Sequence, residues 1–319
     1  MSNLRGLFPQ PIGESARVTL TLGNPADYID RGGYEPTFVM GRVIPMPIVP
    51  DIWLDDVVPV DDPARVGHAV FDLRYVHFSV VMSRSRRMPY YSCANIDGKH
   101  ENSQARADTA WRYDPRIPID CQLITDGIYG RVGDGLFSRG HMTRREDPNW
   151  GDDATAAKSD ADTFHVTNAC PQMQPFNAPI WLALEEHVKK HAWQDDMRVS
   201  VFTGPVFDDA NDPWYRPPGQ RPVQVPAAFW KVVVFRHDDS GDLAATAYRA
   251  SQATQLPQRN RADPQFVFGQ FEEYQMRIED LEAMTALDFG PLRDVDVLRS
   301  LDVGFRISHG TVADVILSS

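Results

Sequence analysis

Phe137-Ser138-Arg139-Gly140-His141-Met142, Phe164-His165-Val166-Thr167-Asn168-Ala169-Cys170-Pro171-Gln172 and Asn177-x3-Trp181-x3-Glu185 are the stretches on which the reading of this chain turns. His141 follows a glycine, so a sharp turn that presents the imidazole is expected there. An imidazole with an ordinary pKa of about 6.5 suits general-base work near neutrality. Arg139, two residues earlier, carries a permanent fork of donors matched to phosphate. Asn168, Asn177 and Glu185 are oxygen ligands or orienters of ligands, and oxygen donors favour Mg²⁺, Mn²⁺ or Ca²⁺ over zinc. A base, a cation and a hard metal together describe phosphodiester hydrolysis. Taken singly, each residue has a plainer reading. His141 could be a turn residue, Asn177 a helix cap and Asn168 a loop amide bonding backbone. On a helix Glu185 lies about 12 Å and roughly 80° from Asn177. Holding metal-bound water therefore suits it better than sharing one ion.

Working outward, the chain has 319 residues, of which 42% are hydrophobic and 24% charged. Those values exclude a wholly disordered or collagen-like chain. The apolar runs, such as Val232-Val-Val-Phe235, are too short to span a bilayer. The first residues lack the apolar centre of a secretory signal, so the expected location is the cytoplasm or beyond it by a non-classical route. Three cysteines without C-x-x-C spacing fit neither a disulfide framework nor a structural zinc site. The net charge of −12 argues against a polyanionic partner, but it hides an asymmetry. Arg74 to Arg145 holds 12 lysines and arginines against 7 aspartates and glutamates. Arg84, Arg86, Arg87, Arg144 and Arg145 in that segment are either phosphate contacts or solvated loop charges.

Residues 1–66 read differently from the rest. Val18 to Leu22 is a short strand, followed by Gly- and Asp-rich turns and prolines at 45, 47, 50, 59 and 63. Residues 1–73 carry 5 basic against 10 acidic side chains. This segment is expected to wrap the main domain or to form a small regulatory or docking module, with residues 67–319 as the principal domain. Val70 to Ile96 reads as a β-hairpin, with Val76, Phe78, Val80 and Met82 on one face of the first strand. Glycines 127, 130, 133 and 135 mark turns, not a phosphate loop. Asn177 to Trp193 reads as a helix, as does Phe271 to Ala286. Arg198 to Pro205 and Phe229 to Phe235 read as buried strands. The class is α+β.

The three opening stretches resemble the signature of the DNA/RNA non-specific endonucleases of the ββα-metal class: Asp-Arg-Gly-His, then Asn-x-x-Pro-Gln, then Asn-x3-Trp-x3-Glu. The resemblance covers about residues 68–290. It takes in the hairpin at Tyr75 to Gly98, Thr203-Gly204-Pro205, and Val225-Pro226 ahead of Lys231. It implies a central, mostly antiparallel sheet flanked by helices, and a Mg²⁺-dependent nuclease (Mn²⁺ a substitute) that yields 5′-phosphate products from DNA and RNA. By resemblance His141 is the general base and Asn177 the direct metal ligand. Glu185 orients metal-bound water, Arg139 holds the phosphate and Asn168 positions the base. The family's upstream arginine corresponds to Arg112 or Arg116. Its leading Asp is Ser138 here, a change carried by some members. A homodimer, and an inhibitor or regulatory partner acting through residues 1–66, are further expectations. Two alternatives stay open: a binding module on the same fold without activity, and a structure-specific or 5′ exonuclease.

Overall fold

A computed structural model describes residues 23–65, 70–105, 110–123, 127–130, 137–173, 197–217, 219–237, 240–253, 256, 272–299 and 305–306. Its strands are β1 (Asp72–Arg74), β2 (Phe78–Ser83), β3 (Met88–Asp97), β4 (Ser138–His141), β5 (Ala169–Gln172), β6 (Arg198–Val206), β7 (Trp214–Tyr215), β8 (Val223–Gln224), β9 (Ala228–Arg236), β10 (Leu243–Ser251), β11 (Glu272–Met276) and β12 (Phe305–Arg306). The described α-helices are α1 (Asp153–Thr163) and α2 (Ile278–Thr285). Eight strands form one antiparallel sheet in the order β1-β2-β3-β6-β9-β10-β11-β12, and β4 pairs with β5 in a separate ribbon. The class is α+β, built on a large antiparallel sheet with few helices.

Both faces of the central sheet are buried, which is why its strands read as nearly continuous apolar runs. Alternation still sorts the side chains. Along β9, Phe229, Val233 and Phe235 enter one core with Phe137, Met142 and Cys170 from the β4–β5 ribbon. Trp230, Val232 and Val234 enter the opposite core. That second core is closed by Ile278 and Leu281 of α2 and by Tyr34, Phe38, Val39, Ile44, Val49 and Val57. Residues 34–57 therefore share a hydrophobic core with the sheet. Backbone bonds fix them there, from Gly33 N to Tyr75 O (2.8 Å) and between Ile48 and Asp288 in both directions. None of the helices among the described residues is long and apolar enough to cross a membrane.

Three local expectations change. The stretch Tyr75–Met82 is not one strand. His77 adopts φ 67°, and Tyr75 to His77 turn the chain between β1 and β2. A three-stranded meander thus replaces the hairpin, although Phe78, Val80 and Met82 do share one core. The helix expected over 271–286 splits: Glu272–Met276 joins the sheet between β10 and β12, and the helix begins at Ile278. Asp296 Oδ2 accepts the Ile278 amide at 2.7 Å, anchoring that start from outside the helix. Finally, Gly140 lies within strand β4 rather than in a turn. The strand expected at Val18–Leu22 and the helix expected over 177–193 lie outside the described residues.

Gly204 shows how tightly the sheet is built. A Cβ there would overlap Tyr90 O and reach 2.7 Å from Trp230 Cζ2. Gly204→Ala is expected to destabilise the protein by about 1–3 kcal/mol, read as a lower urea midpoint with an unchanged slope.

Candidate functional site

Strand β4 pairs with β5 so that Ser138 faces Gln172, Arg139 faces Pro171, Gly140 faces Cys170 and His141 faces Ala169. Side chains two apart on a strand share a face. Arg139 and His141 therefore point the same way, while Gly140 belongs to the opposite face of the ribbon. A Cβ on Gly140 would collide with the Gln172 carboxamide, so the glycine is required by close approach. Trp111 lies beside both site side chains. Its ring centroid is 4.8 Å from that of His141 and 5.8 Å from the Arg139 Cζ. Phe164 meets the His141 ring edge-on at 5.3 Å, and the Arg139 guanidinium also lies over Tyr129 at 4.9 Å. An aromatic wall thus fixes His141 and Arg139 on one surface. Both remain partly exposed.

Asn168 is fully buried at the end of this ribbon. Its Oδ1 accepts the Thr143 amide at 2.8 Å. Its Nδ2 donates to Thr143 O at 2.9 Å and to Thr163 O at 3.0 Å. Met142 N donates to Asn168 O at 2.9 Å. Asn168 therefore clamps the chain leaving His141 and does not present its amide to a ligand. Thr143 Oγ1 bonds Ser92 Oγ at 2.9 Å, which ties the clamp to β3. Ser92 pairs with Thr203, and Thr203 accepts from the buried Lys231 Nζ at 2.8 Å. A polar seam runs from the sheet to the site.

The remaining sequence-derived candidates separate. Arg112 lies next to Trp111, half-buried, with its backbone bonded to Phe164 and Val166 and its Nη2 donating to Ala161 O at 3.0 Å. Arg144 follows the Asn168 clamp and pairs with Glu146 at 3.2 Å. Arg116 is turned inward. It grips Asp114 with two bonds of 3.0 and 2.7 Å and stacks over Tyr28 and Tyr75. Burial works to raise the Asp114 pKa, yet the Arg116 charge and hydrogen bond hold it below the ordinary carboxylate range. Arg86 is paired with Asp212 and Asp209, and Arg87 donates to Pro222 O. Both are buried. Arg86, Arg87 and Arg116 are Asp-paired or carbonyl-bonded in the interior, where they brace the fold. Arg145 pairs with Asp160, and the exposed Arg84 reaches Cys121. Asn177 and Glu185 lie outside the described residues. Trp111, Phe164 and Tyr129 were not read as parts of the site, because nothing in their sequence spacing joins them to His141.

Among the described residues no group of three or more His, Cys, Asp or Glu side chains is placed to hold a metal ion. Trp111 and Phe164 lie against the His141 ring. The sequence-derived donors for a hard cation are the amide of Asn177 and the carboxylate of Glu185, in the segment after β5. Their oxygen chemistry fits such an ion.

His165 is the other histidine here. It is fully buried. Its Nδ1 donates to Asp162 O at 2.7 Å, which leaves Nε2 to accept from the Tyr28 hydroxyl at 2.6 Å. Burial drives its pKa down to about 4, against the pull of Asp114 and Asp162 and with the help of Arg112. The unfolded chain therefore binds this proton first as the pH falls. The stability due to neutral His165 is intact above about pH 6.5 and drains away toward about pH 4, by on the order of 3 kcal/mol. Urea melts at pH 7.5, 6 and 5 should show this loss, and His165→Gln should flatten it.

Residues 63–295 match the family model described as DNA/RNA non-specific endonuclease. The chain is 36% identical over 240 residues to "Uncharacterized protein y4fB" of Sinorhizobium fredii, covering 72% of this chain and 34% of that protein. It is 26% identical over 225 residues to mitochondrial nuclease EXOG of Danio rerio, covering 68% of this chain and 60% of that one. A 104-residue stretch is 30% identical to mitochondrial endonuclease G of Homo sapiens, covering 31% and 33% of the two chains. Among solved structures, a crystal structure of the EndoG/EndoGI complex superimposes with a TM-score of 0.45 at 19% identity, over 69% of this chain and 85% of that one. The chain thus spans about a third of the bacterial relative and three fifths of the fish nuclease.

Proposed function

The chain belongs to the DNA/RNA non-specific endonuclease family, and on that premise we propose that it is a metal-dependent phosphodiesterase cutting DNA and RNA with little regard to sequence. The observation that carries this is the shared face of β4: Arg139 and His141 side by side against Trp111, with Asn168 clamping the strand end. Arg139 neutralises and orients the phosphate. His141 takes a proton from the attacking water, whose oxygen then adds to phosphorus in line with the leaving 3′ oxygen. Trp111 and Phe164 hold the imidazole in one orientation. Asn177 would bind Mg²⁺, or Mn²⁺ in its place, directly, and Glu185 would do so through water. Once bound, the ion would stabilise charge on the leaving oxygen. The products would carry a 5′ phosphate and a 3′ hydroxyl. Contacts are to backbone, so sequence is not read. Residues 67–319 would form the catalytic unit, and nucleic acid is the partner.

Digestion of supercoiled plasmid and of RNA by the purified protein tests this. With Mg²⁺ both substrates should be degraded, and EDTA should stop it. His141→Ala should lower the rate by about 10²–10⁴-fold while leaving the fold intact. Asn177→Ala should abolish the metal response. Intact nucleic acid in every lane would overturn the reading. Binding to uncut DNA in EDTA should also weaken steeply as salt rises, a second check on backbone recognition.

A further inference from the structure

Tyr28 and Arg31 lie ahead of the family match, which begins at residue 63, yet both end on the loop that supports the site. The Tyr28 hydroxyl donates to His165 Nε2 at 2.6 Å inside the protein. Arg31 forks onto Asp162, with Nε 2.7 Å from Oδ2 and Nη2 3.2 Å from Oδ1, and the Asp162 side chain is 1% exposed. Asp162 Oδ2 also accepts the Val76 amide at 3.1 Å, and Asp162 O accepts from His165 Nδ1. Residues 162 and 165 are thereby pinned from the N-terminal side. Between them Thr163 supplies a carbonyl to the Asn168 clamp, and Phe164 supplies the ring that stands edge-on to His141. The same loop is held on its other side by Arg112, through Arg112 N to Phe164 O and Val166 N to Arg112 O, both 3.0 Å.

We propose that Tyr28 and Arg31 are positioning residues for His141: through His165 and Asp162 they set the 162–168 segment, which runs on from the last turn of α1 and whose Phe164 ring and Asn168 amide fix the imidazole. The stretch around residues 28–31, outside the family match, is thus part of the site's scaffold. The kinetic consequence rests on the nuclease reading above, but the geometric one does not. The groups facing His165 are the Tyr28 and Tyr75 rings, the Asp114 and Asp162 carboxylates and the Arg112 guanidinium. Only Tyr28 among them offers a hydroxyl to its Nε2. Tyr28→Phe removes that one donor and keeps the ring that Arg116 covers. Arg31→Lys keeps the charge and removes the fork.

The test uses the full chain as wild type, Tyr28→Phe, Arg31→Lys and, as a control, Arg299→Ala. Arg299 is exposed and pairs with the exposed Asp294. Three quantities are read: kcat and KM on plasmid with Mg²⁺, the thermal midpoint, and the histidine ring signals by long-range ¹H–¹⁵N NMR. Tyr28→Phe and Arg31→Lys should lower kcat at least about fivefold with KM within twofold, and should move the His141 ring signals, while the control moves neither. If kcat stays within twofold and the His141 signals stay in place, both residues are merely structural and the proposal falls, whatever the midpoint does. If the wild type itself cuts nothing, the nuclease reading fails. The NMR arm then decides alone: shifted His141 signals uphold the coupling and unmoved ones overturn it. Should either variant be unfolded at the assay temperature, the other carries the same comparison.

Discussion

The carboxamide of Asn168 is the constraint on which the site depends. A buried amide left unbonded costs about 1–3 kcal/mol for each orphaned group, so its bonds dictate where its neighbours sit. Here the neighbours are Thr143 and Thr163, taken at 2.8, 2.9 and 3.0 Å. Three bonds from one side chain fix the end of β4, and with it His141, to the loop that brings Phe164 alongside. Further bonds carry the position outward, from Thr143 to Ser92 on the central sheet and from the loop to Tyr28 and Arg31. The backbone that carries His141 is held by polar bonds of known direction, where apolar packing alone would allow sliding.

The same accounting applies to charge. Three arginines of the basic segment 74–145 turn inward. Arg86, Arg87 and Arg116 are consumed inside the fold by Asp212, Asp209, Asp114 and the Pro222 carbonyl. The partly exposed Arg139, with Arg112 and Arg144 nearby, is what stands beside His141. Trp111 and Tyr129 lie against the Arg139 guanidinium and help to fix where it points.

The motif order, the α+β class and the buried strands β6 and β9 were legible because continuous apolar runs and fixed spacings survive in one dimension. Arg139, His141 and Asn168 do meet. Other features left no such trace. Helix α1, Asp153 to Thr163, buries Ala156, Ser159, Asp160, Asp162 and Thr163, a polar face without apolar periodicity. Strand β10 is alanine-rich, and alanine favours helix over strand, so only its pairing with β9 and β11 makes it a strand. Gly140 signalled a turn from its type alone. Its true reason is a collision with Gln172, 32 positions away in sequence and visible only in the ribbon. The inward turn of Arg86, Arg87 and Arg116 left no trace for a related reason, since charge counts carry no information about which carboxylate lies across the core.

The central claim is that the His141 imidazole is the proton acceptor in phosphodiester hydrolysis. Chemical rescue tests it most directly. His141→Gly leaves a gap beside Trp111 and Phe164 of imidazole size. The account predicts that free imidazole restores Mg²⁺-dependent cleavage to this variant, with a rate that follows the concentration of the neutral base as pH is varied. A folded His141→Gly protein that still binds DNA, yet gains no rate from imidazole at any pH, would contradict it.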